Sequence, residues 1–91
     1  MESLLEFEWD DEKASINEAK HGVPFAYATR VFLDDRRVDF DATRQADGES
    51  RRKVVGAIAG RVYCVVYTLR GGVCRIISAR RANGKESKAY G

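Results

Sequence analysis

The chain predicts an α+β domain in which two N-terminal helices pack on an antiparallel β-meander. Three observations carry that expectation. Two short helical patterns with their own start and stop signals fill residues 10–35. Three runs rich in valine, isoleucine and tyrosine follow within residues 51–79, parted by the tight turns "AG" and "RGG". Finally, 91 residues with 44% hydrophobic and 33% charged side chains suit a single core, taken here as one domain over 1–91.

The elements follow in order. "LLEFEW" (4–9) alternates apolar and acidic residues, as a half-exposed strand does. Asp10 then opens "DDEKASINEAKHG", which has acids in the first turn, Lys20 and His21 in the last, and Gly22 behind them. Caps and charges at both ends match a helix and its dipole. "VPFAYATRVFLDD" begins a second helix near Pro24, with Phe25, Ala28, Val31 and Phe32 spaced to face a core.

Residues 36–43, "RRVDFDAT", read as a short strand, and the polar 44–50 as a loop. Strands are expected over 51–58, 61–69 and 73–79, the middle one apolar on both faces and therefore central. "ANGKESKAYG" at the end has the composition of a short terminal helix, with Gly84 an awkward residue at its start.

Several function classes are excluded at this level. The longest apolar run, "VYCVVYTL", is far too short to span a bilayer, so no membrane partner is expected. The acidic start "MESLLEFEWDDE" is unlike a secretory or organelle-targeting signal, which leaves the cytoplasm as the expected location. Pairing about the turn near 70–72 sets Cys74 opposite Tyr67 or Thr68, three or four residues from Cys64. At roughly 3.3 Å per residue that is beyond disulfide reach, so both thiols are expected buried and free. One histidine and no Cys-x-x-Cys give zinc no ligand set, and no cofactor is expected. Asp34, Asp35, Asp39 and Asp41 supply oxygen ligands in principle, but such runs are usually solvated.

Charge is unevenly distributed. Residues 1–50 hold 13 acidic and 6 basic side chains, whereas residues 51–91 hold 1 and 10. Either a basic surface built by the second half meets a polyanion, or the halves neutralise each other across the fold. On the first helix Lys13, Asn17, Lys20 and His21 fall within an arc of about 100°, a polar ridge carrying the only imidazole. Glu49 and Arg51 flank the start of a strand and can pair there, or Arg51 can grip a phosphate bidentately. "RIISARR" ends an apolar strand on Arg80 and Arg81. By strict alternation Arg75 shares a face with Arg81, and Tyr63 and Tyr67 share one on the neighbouring strand. Arginines beside aromatics make a surface for RNA phosphates and bases, with Arg75, Tyr67 and Lys20 as its contacts. The same tyrosines can equally be packing residues.

Taken together, "FEWDDEKASINEAKHGVPFAYATRVF", "GESRRKVVG", "RVYCVVYT" and "RIISARRANGKESKAY" resemble the BrnT family of toxin–antitoxin ribonucleases. The pattern W-D-x-x-K-x-x-x-N-x-x-K-H-G-V-x-F is carried by Trp9, Asp10, Lys13, Asn17, Lys20, His21, Gly22, Val23 and Phe25. It continues through Gly48, Glu49 and Arg51, and covers nearly the whole chain in order. The resemblance implies a RelE-like fold and RNA cleavage that halts translation and arrests growth. It also implies a cognate DNA-binding antitoxin of the BrnA type, through which the pair contacts operator DNA. Lys13, His21, Glu49, Arg51, Arg80 and Arg81 are the catalytic candidates it points to.

Overall fold

Five strands form one sheet in the order β1-β5-β4-β3-β2. The computed structural model of the chain describes residues 5–91, apart from the side chain of Asp47; Leu4, where the first strand was expected to begin, lies outside them. The strands are β1 (Glu6–Glu8), β2 (Val38–Asp41), β3 (Arg52–Ile58), β4 (Arg61–Arg70) and β5 (Val73–Arg81). β2 to β5 make the antiparallel meander expected from sequence. β1 extends it by pairing parallel to β5, so the whole sheet is mixed.

Helix α1 (Asp11–His21) forms where its signals place it. The Asp10 carboxylate accepts from the backbone N–H groups of Glu12 and Lys13, at 2.9 and 3.1 Å. Gly22 ends the helix in the left-handed region, its N–H donating to Glu18 O. The second helical segment is α2 (Phe25–Ala28), which tightens into a 3₁₀ turn over Thr29–Leu33. It buries Phe25, Ala28 and Val31 against Val54, Ile58, Tyr63, Val65 and Ile76. Close approach is possible because β3 carries Gly56 opposite this turn: a Cβ there would lie 3.1 Å from Val31 O. Trp9 packs edge-on to Phe25, and Phe32 to Tyr67.

α1 is fastened to the sheet by one polar side chain. β1 covers only residues 73–75 of β5. Further along, Asn17 donates to Ala79 O at 2.8 Å and accepts from Ala79 N–H at 3.2 Å. Its amide does for Ala79 what a neighbouring strand would, and leaves no buried backbone group unsatisfied there. Asn17 is therefore a buried clamp and not part of an exposed ridge.

The β4–β5 hairpin turns on Gly71 and Gly72, both with positive φ, so Arg70 faces Val73 and Cys74 faces Leu69. Cys74 thus sits one or two places further from Cys64 than the expected register, and both thiols are free and buried. Burial pushes each up to about 11. The register slips once: Val66 faces Ser78 and Tyr67 faces Ile76, leaving Ile77 as an extra residue on β5.

That bulge reverses the alternation predicted for Arg75. It shares a face with Ser78 and Arg80, through their partners Thr68, Val66 and Cys64; Arg81 points the other way with Tyr63. We call the first the outer face and the second, covered by α2, the inner face. Helix α3 (Gly84–Tyr90) covers one end of the outer face. Gly84 does not prevent it, because Asn83 and Glu86 form a reciprocal capping box. Among the described residues no helix is long and apolar enough to cross a membrane.

Candidate functional site

The end of the outer face that α3 leaves open is a groove of three adjoining depressions. The innermost, about 60 Å³, is lined by Asp10, Lys13, Glu49, Arg51, Arg70, Arg75 and Ile76, with Ile77 at its edge. On one side lies a depression of about 260 Å³ bordered by Lys13, Ile16, Lys20, His21 and Ser78. On the other, about 360 Å³ is enclosed by Ala42, Arg44, Arg51, Val66 and Ser78. Ile77 borders all three.

Each wall has a local cause. α1 presents Lys13, Lys20 and His21 because Asn17, between them in the helix, turns inward to β5. Arg51 is set at the start of β3 by two contacts of its backbone with Thr43: its N–H donates to Oγ1 at 2.9 Å, and its carbonyl accepts from that hydroxyl. Glu49 is gripped at 3.2 Å by both carboxylate oxygens to Arg70 Nη2. Arg75 Nη1 reaches Glu8, itself 42% exposed, at 3.2 Å. Lys13 and Lys20 make no ion pair among the described residues.

The residues singled out from sequence therefore divide. Lys13, Glu49, Arg51 and Arg75 line one depression, and Lys20 and His21 the next. Arg80 lies under α3, where its guanidinium makes two bonds to Glu86, 2.8 and 2.9 Å long. Lys53 adds a third contact to the same carboxylate at 3.0 Å. Arg80, and then the Asn83 N–H and Lys53, hold Glu86 far below the usual carboxylate range. Arg81 projects from the inner face at the exposed strand end.

Tyr67 is buried beneath Phe32 on the inner face, its hydroxyl bonded to Asp39, so its ring offers no surface for a base. The expected arrangement of tyrosines beside Arg75 is thus replaced by an aliphatic floor of Val66 and Ile77. Glu49 pairs with Arg70. Arg70 is the wall residue that sequence reasoning missed. A two-residue Gly-Gly turn fixes the hairpin register, and that register alone puts Arg70 on the face of Arg75.

Three of the four aspartates, Asp34, Asp39 and Asp41, have structural work. Asp34 accepts from the Ala57 N–H and the Tyr90 hydroxyl, Asp39 from Tyr67 and Arg52, and Asp41 from the Thr43 N–H. Among the described residues no group of three or more His, Cys, Asp or Glu side chains is arranged to hold a metal ion.

Comparison with known proteins adds one decisive finding. The family model described as "Ribonuclease toxin, BrnT, of type II toxin-antitoxin system" matches residues 9–86. The chain belongs to the BrnT family. The match runs from Trp9, which packs on Phe25, to Glu86, which holds Arg80, and so includes every wall of the groove. No curated protein matches the chain. For a BrnT toxin, an open cationic groove next to a carboxylate and an imidazole is the part of the molecule with chemistry suited to a polyanion.

Proposed function

We propose that this BrnT protein is a metal-independent endoribonuclease of RelE-like type, whose cleavage of RNA stops translation and arrests growth in the cytoplasm. A DNA-binding antitoxin of the BrnA type neutralises it, and the pair represses its own operon by contacting operator DNA. The observation that carries the reading is the convergence of Lys13, Glu49, Arg51 and Arg75, from α1, the 48–51 loop and β5, on one small depression.

In this mechanism the ribose 2′-oxygen attacks the adjacent phosphorus while the bond from phosphorus to the 5′-oxygen breaks. Products are a 2′,3′-cyclic phosphate and a 5′-hydroxyl. Glu49, oriented by Arg70, takes the proton from the 2′-hydroxyl. His21, at the end of α1, returns one to the departing 5′-oxygen. Arg51, Arg75 and Lys13 stabilise the charge that grows on the non-bridging oxygens. Arg80 acts indirectly, by holding α3 on the sheet through Glu86.

Purified protein incubated with RNA in excess EDTA tests this. Fragments ending in cyclic phosphate are the expected result. Activity lost on chelation and regained with magnesium would overturn the metal-independent mechanism. RNA bound but never cut would leave a non-catalytic binding module in its place.

A further inference from the structure

We infer that the groove is cut for one phosphodiester and its two flanking nucleosides in a single strand, parted by Ile77. The inference rests on the ribonuclease reading and specifies the form of its substrate. Size makes the first argument. The innermost depression, about 60 Å³, is by far the smallest of the three, which suits a phosphoryl group better than a nucleobase. Its lining sets four cations, Lys13, Arg51, Arg70 and Arg75, against the carboxylates of Asp10 and Glu49, and that cationic excess is what a phosphate requires. The depressions of about 260 and 360 Å³ have room for a base each.

Ile77 makes the second argument. It is the extra residue of the β5 bulge, and it borders all three spaces. Bulges beside active sites re-aim side chains. An aliphatic group among cations has no affinity for phosphate, but such side chains do pack on base faces and wedge between base steps. Nucleosides lying on opposite sides of Ile77 cannot be stacked on each other. Single-stranded RNA supplies unstacked bases at small cost, whereas a duplex must first unpair.

The test uses the full chain and a fluorescent 2′-deoxy oligonucleotide, which lacks the attacking hydroxyl, as a single strand and as a duplex of the same sequence. Anisotropy titrations at several salt concentrations should show the single strand bound at least about tenfold more tightly. Ile77→Ala should weaken single-strand binding about fivefold to tenfold with the salt slope unchanged, because no phosphate contact is lost. Lys13→Ala, in the phosphate depression, should instead lower that slope by roughly 0.7, the loss of one phosphate contact. Ile77→Phe should bind as well as the parent or better by stacking, which separates a lost contact from a damaged fold. Equal affinity for duplex and single strand, or Ile77 variants that both bind as the parent does, would overturn the proposal. A chain that cuts RNA but ignores Ile77 fails this proposal alone; one that neither binds nor cuts fails the ribonuclease reading beneath it.

Discussion

The outer face of the sheet carries arginines at both ends, and the two ends use them differently. At the covered end Arg80 makes a two-pronged bond to Glu86, a carboxylate only 5% exposed and also held by Lys53 and the Asn83 N–H. At the open end Arg75 makes a single contact with exposed Glu8. Exposed pairs contribute about 0–1 kcal/mol, whereas removing one partner of a largely buried pair costs about 3–5 kcal/mol. Taking Arg75 from Glu8 should therefore cost a phosphate less than taking Arg80 from Glu86. The motif "RIISARR" thus supplies one arginine to the groove and another to the fold.

The largest expected effect falls at the open end. Arg51→Ala should slow RNA cleavage by on the order of 10²- to 10³-fold, the usual loss when one donor to a developing oxyanion is removed. Thermal unfolding of the same variant, whose backbone contacts with Thr43 persist, separates a loss of chemistry from a loss of fold. Cleavage within threefold of the parent, measured by single-turnover assay, would break the contrast between the two ends.

At the covered end the effect should appear in stability. Glu86→Ala leaves Arg80 and Lys53 without their carboxylate and removes half of the capping box of α3. A loss of about 3 kcal/mol is expected, which lowers Tm by more than about 10 °C in a chain of this size. Cleavage per folded molecule at low temperature should change less than in Arg51→Ala. A stable Glu86→Ala protein without activity would mean that α3 belongs to the reaction site.

The same carboxylate predicts a pH dependence. Its folded-state pKa lies well below the ordinary value, so the folded form holds fewer protons than the unfolded chain in the acid range. Stability from Glu86 is then fully present above about pH 5 and drains away as pH falls below the usual carboxylate pKa of about 4.3. Urea unfolding from pH 7 to pH 3 should show this fall in the parent and a flatter profile in Glu86→Gln.

How far the sequence reveals this division can be seen residue by residue. The caps of α1, the hairpin turns, the meander order and the buried thiols were legible because each depends on neighbours a few positions away. The Asn83–Glu86 capping box is equally local but went unread beside Gly84, whose helix penalty it outweighs. The bulge was not legible: nothing at "RIISARR" marks Ile77 as the extra residue, and that single insertion moves Arg75 to the groove face. Asn17 reads as one more polar residue on a ridge until β5 is known to lack a strand partner on its β1 side at Ala79. Charge asymmetry was ambiguous because the sequence does not say which charges meet; the structure shows neutralisation across the fold, with Asp39, Glu49 and Glu8 of the first half paired to Arg52, Arg70 and Arg75 of the second.

The smallest effect sharpens the comparison most. If the Glu8–Arg75 contact is a loose surface pair, Glu8→Ala should shift stability by less than about 0.5 kcal/mol. Removing it also takes a negative charge from beside the groove and frees Arg75, so single-stranded RNA should bind about twofold to threefold more tightly at low salt. Because the gain is electrostatic, it should fade as salt rises toward 0.5 M, where the Debye length falls to roughly 4 Å. Paired titrations at two salt concentrations measure this. Weaker binding on loss of Glu8 would mean that this contact positions Arg75 for the phosphate, and the two ends of the face would then differ in degree and not in kind.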